Sequence, residues 1–281
     1  MTGEGARRGP AGGGPSAPLG AGAPARAVAD VEVVEDRTPG SLASEGFLRV
    51  RRLLLRTVWA DGSRSRPYPC DVVSRSRTDA VAIVLYDVRV EGARRRPWVA
   101  LKTGLRAPVF LRRHARLVQP DTRRWAVLAE IVAGMIEEED AGPFGVDRRA
   151  THEAREEAGI ALDAKAVEPL GAESFPSPGV TDEKVHFRAA KAPLHGPLAP
   201  QGDGSEMEAG GGVVVLPLSD ALAACRAGDI PDMKTEVALQ RLADRLGWIP
   251  ALDAFAADLP APWPSRWTPP GLSGSASGAR A

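Results

Sequence analysis

Three glutamates in one short segment have the residue type and the spacing that metal-dependent chemistry requires. Glu153, Glu156 and Glu157 occupy positions i, i+3 and i+4, which share one face of a helix. Carboxylates this close repel one another unless a positive charge lies among them, and Mg²⁺ or Mn²⁺ prefers such oxygen ligands. The segment therefore predicts a divalent metal site. The alternative is a solvated acidic helix face, for which Arg155 beside Glu156 is typical.

The surrounding pattern predicts the elements that position these carboxylates. We expect a helix over 145–158, ended by Gly159, between two groups of strands. The expected strands are an N-terminal hairpin over 47–59 with its turn at 60–63, then 71–73, 80–86, 97–105, 167–175, 184–189 and 212–216. Two further helices follow, with caps expected at Ser219 and Asp232. This order predicts an α+β fold in which helices cover both faces of a mixed β-sheet.

Composition divides the chain into four parts. Residues 1–28 and 263–281 are rich in small residues and proline and have few large apolar side chains, which predicts disordered tails. Residues 29–75 predict an N-terminal antiparallel β segment. Residues 76–262 then form the main domain, which fits a chain of 281 residues.

Charge and cysteine content restrict the class of protein. Lys+Arg and Asp+Glu are each 36, so no net field attracts nucleic acid or an acidic membrane surface. Two cysteines far apart in the sequence favour a reduced, cytoplasmic protein, and no apolar run reaches the ~18 residues of a membrane span. We therefore expect a cytoplasmic protein with no nucleic-acid or membrane partner. No zinc-ligand spacing, P-loop or nucleophile-elbow motif occurs.

The segment 134–160 resembles the Nudix box, written Gx5Ex7REUxEExGU with U a bulky apolar residue. The matching stretches are GMIEEED from Gly134 and HEAREEAGI up to Ile160. The resemblance extends to bacterial ADP-ribose pyrophosphatases through EIVAGMIEE ahead of the helix, SFPSPGVTDE at 174–183 and the segment 228–239. It covers roughly residues 47–249.

The resemblance implies a Nudix-type α/β/α sandwich and a metal-dependent hydrolase. That subfamily cleaves the diphosphate bond of a nucleoside diphosphate derivative, ADP-ribose to AMP and ribose 5-phosphate, with Mg²⁺ or Mn²⁺ as cofactor. It also implies a homodimer, in which N-terminal strands corresponding to about 30–75 help to build the partner's pocket. Two alternatives stay open: another diphosphate substrate such as a nucleotide sugar, and a catalytically weak module that binds a nucleotide.

The resemblance assigns roles to the residues around the box. Glu153, Glu157 and the backbone carbonyl of Ala133 match metal ligands, and Glu156 matches a further ligand or catalytic helper. Glu183 closes the SPGVTDE loop and is expected at the metal or the substrate.

Two further roles are implied outside the box. The catalytic base is expected on the loop ahead of the late strand, at Glu206 or Glu208. Arg106 matches an arginine that contacts the substrate phosphates, which suits the guanidinium fork, and Arg112 and Arg113 are nearby alternatives.

The chain departs from the box in three places. His152 replaces the arginine that orients the glutamates, and a neutral histidine lacks the charged fork. Asp140 occupies the position of a glutamate in the box, whose side chain is one methylene longer. Asp140 and Glu153 are 13 positions apart where the box has 9, so four residues are inserted around 141–145, and we expect them to bulge as a loop that leaves the helix intact.

Overall fold

The computed structural model describes residues 46–196, 198–202 and 211–261. The predicted tails at 1–28 and 263–281 lie outside the described residues, as do the two candidate bases Glu206 and Glu208. Within the described ranges the chain has an α+β fold, with four α-helices, a mixed seven-stranded sheet and a small N-terminal antiparallel hairpin. In the same ranges no helix has both the length and the apolar character needed to cross a bilayer.

The secondary-structure elements follow in chain order. The strands are β1 (Arg49–Leu55), β2 (Tyr68–Ser74), β3 (Ala80–Glu91), β4 (Arg94–Gly104), β5 (Leu128–Glu130), β6 (Val132–Met135), β7 (Glu168–Pro169), β8 (Val185–Lys191), β9 (Gly212–Pro217), β10 (Trp248–Ile249) and β11 (Ala254–Phe255). The helices are α1 (Ala107–Phe110), α2 (Gly145–Ala158), α3 (Leu218–Ala227) and α4 (Met233–Leu246).

Strand β3 is the centre of the main sheet, whose order is β5-β4-β3-β8-β7. Its C-terminal half pairs with β4 in antiparallel register, and its N-terminal half pairs with β8 in parallel. The same N-terminal half also pairs with β6, and β4 also pairs with β9, both antiparallel. Strand β6, which carries the predicted metal ligand Ala133, is therefore a direct neighbour of β3.

Alternate residues of β3 enter two different cores. Ala82 and Val84 lie in a buried cluster with α3 and α4, whereas Val81 and Ile83 lie in another with α2. Successive side chains of a strand point to opposite faces, so a strand covered on both faces must be apolar throughout. This accounts for the run AVAIVLY and confirms that helices cover both faces of a mixed sheet.

The helix ends test the capping predictions. Helix α2 spans 145–158 as predicted and ends at Gly159, whose φ of 69° is left-handed. Asp232 caps α4 through its carboxylate, which accepts a hydrogen bond from the Thr235 N–H at 2.9 Å. The cap predicted at Ser219 is wrong, because β9 runs directly into α3 and Pro217 is the N-cap, with no side-chain hydrogen bond.

Two predicted strands differ from the structure. The strand expected over 167–175 is reduced to Glu168–Pro169, because proline has no N–H for the ladder and Gly171 turns the chain at a φ of 84°. The segment 71–73, expected as a separate strand after the hairpin, lies within β2. Strand β2 pairs with β1 along its whole length, across a connection that contains the turn predicted at 60–63. That turn is stabilised by the Asp61 carboxylate, which accepts from the Ser63 N–H at 2.9 Å.

Candidate functional site

Helix α2 presents its glutamates at the edge of its buried face. Ala150 and Ala154 are fully buried against the sheet, and their small size lets the helix approach it closely. Glu153 and Glu157 lie next to them on the helix surface and are also buried, each 7% exposed, while Glu156 is half-buried. The structure therefore places two carboxylates where solvation is poor, which a solvated acidic face would not require.

The backbone of β6 forms the wall opposite these carboxylates. The N–H of Ala133 donates a hydrogen bond to Oε2 of Glu157 at 2.9 Å. At Gly134, a β-carbon would collide with the Glu153 carboxylate, so only glycine leaves room for that side chain in this position. The structure thus brings the three predicted metal ligands together. The contact it shows at Ala133 is made by the amide N–H, and the role of the carbonyl stays a prediction.

Lys102 on β4 supplies a cation that sequence reasoning missed. Its ammonium group forms an ion pair with Oε1 of Glu157, and its side chain is only 12% exposed. A lysine within the apolar run WVALKTG was the available signal, because a strand between two buried neighbours seldom carries an unpaired charge. Helix α2 and strand β4 are therefore joined by a buried charge pair.

A second ion pair joins Arg106, the residue before α1, to Glu130 at the end of β5. The Arg106 guanidinium donates to both oxygens of Glu130, with Nε–Oε1 at 2.5 Å and Nη2–Oε2 at 3.1 Å. Glu130 is 5% exposed and lies opposite Lys102 in the register of β4 and β5. Arg106, predicted to contact substrate phosphates, is thus beside the carboxylates but paired with Glu130. Glu130 was not predicted as a site residue.

Arg149 provides the charged fork that His152 lacks. It precedes Glu153 by one helical turn, and its Nε donates to Oδ2 of Asp140 at 2.7 Å while Nη1 lies 3.8 Å from Oε1 of Glu153. His152 is exposed, and its Nδ1 lies 3.1 Å from Oε2 of Glu156. The arginine that orients the carboxylates therefore occurs earlier in the helix than the box pattern places it. Sequence reasoning missed it.

The insertion at 141–145 bulges outward as predicted. Gly142 adopts a left-handed φ of 91°, and α2 begins intact at Gly145. Asp140 is buried, and besides its pair with Arg149 its carboxylate accepts a hydrogen bond from the Glu137 N–H at 2.9 Å. The shorter acid is therefore held by the turn and by the helix together.

The surroundings of Glu153 oppose its ionisation. Burial and, after it, the negative charges of Glu157 and Glu156 raise the pKa of Glu153 from 4.5 to about 8, against the opposing effect of Arg149 and Lys102.

The charges around Glu153 also favour a bound cation. The described residues include four buried carboxylates, and all four lie in this group of charges. Three cations face them: Lys102, Arg106 and Arg149. The carboxylates are Glu130, Asp140, Glu153 and Glu157. This donor set fits a divalent cation, which would be held by Glu153, Glu157 and the Ala133 backbone. The ligand atoms of His152, Glu153 and Glu156 also lie within 4.8 Å of one another, but exposed acidic groups are common without a metal.

The SPGVTDE loop is held by the N-terminal hairpin. Arg75, just after β2, donates to Oε1 of Glu183 at 3.0 Å. The Val73 N–H donates to the Val180 carbonyl at 2.8 Å, which adds a bridge between β2 and this loop. The structure therefore places Glu183 at the end of the hairpin, and its role at a metal or substrate stays a prediction.

No model of a known protein family matches this chain, and no curated protein is significantly similar to it. The resemblance to Nudix hydrolases therefore depends on the motifs and on the geometry of the carboxylates.

Proposed function

We propose that this protein is a Nudix-type hydrolase, with the α/β/α sandwich of that family, and that it cleaves the diphosphate bond of a nucleoside diphosphate derivative. With ADP-ribose, water adds across the bridging P–O bond and gives AMP and ribose 5-phosphate. The observation that carries the proposal is the pair Glu153 and Glu157, buried on one helix turn against the β6 backbone. A surface helix has no physical reason to bury two like charges.

Bound Mg²⁺ or Mn²⁺ would neutralise phosphate charge and orient water in such a site. The residues of the chain have their own tasks. Arg149 and Lys102 hold the two carboxylates in place, and Gly134 keeps the space in front of Glu153 clear. Arg106 has a guanidinium fork that suits phosphate oxygens, and Glu130 holds that fork in position. The proposed base, Glu206 or Glu208, would accept a proton from water.

The decisive experiment measures phosphomonoester release by the full chain with Mg²⁺ or Mn²⁺. The panel contains ADP-ribose, nucleotide sugars and dinucleotides. We expect turnover of ADP-ribose, and turnover of a nucleotide sugar in its place would change the substrate but keep the reaction. If no member of the panel is turned over, the hydrolase proposal is wrong.

A pair of variants ties the activity to the buried carboxylates. Glu157→Gln keeps the size of the side chain and removes its charge, so we expect most activity to be lost and the fold to be kept. Glu138→Gln is the matched control, because Glu138 is exposed in the same segment and is given no role. Equal turnover by the two variants would show that the helix carboxylates are not the site.

One observation favours a second candidate, a catalytically weak domain that binds a nucleotide. Both carboxylate oxygens of Glu157 have partners, because Lys102 contacts one and the Ala133 N–H the other. A lysine in this place competes with a metal for the same oxygen. Nucleotide binding without turnover, measured by calorimetry on the same panel, would support this candidate.

We also propose that the protein is a homodimer that associates through the β1–β2 hairpin. Large apolar side chains are exposed there, with Leu54 at 75%, Val58 at 61% and Trp59 at 56%. Apolar surface of this kind is typical of an interaction site. Sedimentation velocity should give a dimer for the full chain and a monomer for Leu54→Asp, with Val90→Asp, exposed elsewhere, as the control. A monomeric parent chain would contradict the proposal.

A further inference from the structure

The N-terminal hairpin concentrates positive charge in a chain whose net charge is zero. The segment 46–77, which contains β1 and β2, has eight arginines, two aspartates and no other charged side chain. We call this segment the basic hairpin. None of its residues is buried, so its excess of six positive charges lies at the surface. Such a concentration of one sign produces a strong local field even where the whole molecule is neutral.

The arginines of the basic hairpin fall into two groups. Three have acidic partners elsewhere in the domain: Arg75 with Glu183 at 3.0 Å, Arg77 with Glu137 at 2.5 Å and Arg51 with Asp182 at 3.9 Å. The other five are exposed, and within the described part of the chain their side chains make no ion pair or hydrogen bond: Arg49, Arg52, Arg56, Arg64 and Arg66. The first group holds the hairpin on the domain, and the second group faces solvent.

The two aspartates neutralise little of this charge. Asp61 accepts hydrogen bonds from the N–H and the hydroxyl of Ser63, at 2.9 and 2.7 Å, so its carboxylate is engaged in the turn. Asp71 lies opposite Arg52 in the register of β1 and β2 and therefore screens one arginine of the five. The other four have no acidic partner among the described residues.

Three of these four arginines lie together at the turn end of the hairpin. Thr57 and Ser65 face each other there, because the Ser65 N–H donates to the Thr57 carbonyl at 2.9 Å and the Thr57 N–H donates to the Ser65 hydroxyl at 3.0 Å. Arg56, Arg64 and Arg66 are adjacent to this pair in the chain. Since neighbouring positions on paired strands are about 5 to 8 Å apart, the three form one cluster.

We propose that the basic hairpin binds double-stranded nucleic acid through its phosphates, without reading the base sequence. A duplex carries one negative charge per about 1.7 Å of its axis, and the guanidinium fork pairs with phosphate oxygens. A single strand would need aromatic rings among the arginines on which its bases could stack. Tyr68 lies opposite Leu55, and successive side chains of a strand alternate, so its ring is on the other face from Arg56. The duplex is therefore the favoured ligand.

The local charge decides this interaction. The net charge of the whole chain predicts no attraction to nucleic acid, but a ligand at the hairpin meets mainly the charges within a Debye length, about 8 to 10 Å. The proposed dimer is compatible with it. Leu54, Val58 and Trp59 would form the contact between the two copies, and the arginines would lie at its rim, since interfaces have an apolar core and a polar rim. The proposed hydrolase activity is not required.

The test is the fluorescence anisotropy of a labelled 20-base-pair DNA duplex titrated with the full chain in EDTA. We expect a saturable rise. The logarithm of the binding constant should fall with the logarithm of the salt concentration with a slope of about −3.6, for four phosphate contacts. Three results would overturn the proposal: no binding, equal displacement of the duplex by polyglutamate, or tighter binding to phosphatidylserine vesicles or to a single strand of the same length.

Variants locate the surface. Replacing Arg56, Arg64 and Arg66 by glutamine should weaken duplex binding by about tenfold or more and make the salt slope shallower by about 2.7. The matched control replaces three exposed arginines outside the hairpin and should bind as the parent does: Arg94, Arg155 and Arg226. If the hairpin triple variant does not fold, the single change Arg64→Glu at an exposed position should still weaken binding severalfold.

The same titration separates this surface from the proposed active site. Glu157→Gln should abolish turnover and leave duplex binding unchanged, whereas the hairpin triple variant should lose duplex binding. Full binding by the hairpin triple variant, or loss of binding in Glu157→Gln, would assign the duplex to another part of the molecule and contradict the proposal.

Discussion

Replacing Glu153 by glutamine should stabilise the metal-free protein at alkaline pH. The two side chains have nearly the same shape, so the buried contact with β6 is kept while the charge is removed. Burial and the neighbouring carboxylates raise the pKa of Glu153 from 4.5 to about 8. The folded protein therefore opposes ionisation of a group that the unfolded chain ionises freely.

The sign of the pH dependence follows from this shift. Below pH 4.5 the carboxyl is protonated in both states and contributes nothing to the difference. Between 4.5 and about 8 the folded state retains a proton that the unfolded state has released, so stability falls as pH rises. Above this range the full penalty applies, at most about 5 kcal/mol. Partial hydration of the site reduces it, and we expect a gain of about 2 kcal/mol for the glutamine variant.

The assay is chemical denaturation in EDTA at pH 5, 7 and 8.5. The free energy of unfolding of Glu153→Gln should be closest to that of the parent at pH 5 and exceed it increasingly towards pH 8.5. Glu138→Gln, at an exposed position, serves as the control and should differ little from the parent at any of the three pH values. A glutamine variant less stable than the parent at pH 8.5 would refute the argument, because the attraction of Arg149 and Lys102 would then outweigh burial.

Three further predictions concern substitutions in and around the same site. Arg149→Gln should lower the free energy of unfolding by about 3 kcal/mol, because the buried carboxylate of Asp140 loses its partner. His152→Gln, on the exposed side of the helix, should change it by less than about 0.5 kcal/mol. Equal effects of the two variants in thermal unfolding would contradict the assigned roles. Gly145→Ala should cost about 2 kcal/mol or more, because its β-carbon would collide with a backbone carbonyl, and Gly134→Ala less, because its obstacle is the flexible end of a side chain. Lys102→Met should destabilise the metal-free chain but increase the rise in melting temperature caused by Mn²⁺, because the competing ammonium is gone. An unchanged Mn²⁺ effect would show that the lysine does not compete.

Local patterns predicted the elements that local chemistry controls. Helix α2 and its end at Gly159 follow from periodicity and a glycine cap, and the cap at Asp232 follows from one side chain and the N–H groups beside it. Strand β3 was predictable because burial on both faces requires an unbroken apolar run. The cap expected at Ser219 failed because a tertiary feature, the direct passage from β9 into α3, decided where that helix begins.

The partners of the predicted site residues could not be read from the sequence. Lys102 and Glu157 are 55 positions apart, and Arg106 and Glu130 are 24 apart, so only the fold brings each pair together. Arg149 was nearer to its partner, but it stands three positions before His152, which is the place that the motif gives to an arginine. The carboxylates were predictable as a group, because a helix face is local, whereas their counter-charges are long-range.

The close approach at Gly134 has a consequence for how related chains diverge. Because a β-carbon there meets the carboxylate of Glu153 and not the backbone, position 134 can accept a larger residue whenever that carboxylate is no longer required in place. The two positions should therefore change together over evolution. In any set of homologues, we expect an alanine or serine at 134 to occur together with the loss or displacement of the carboxylate at 153.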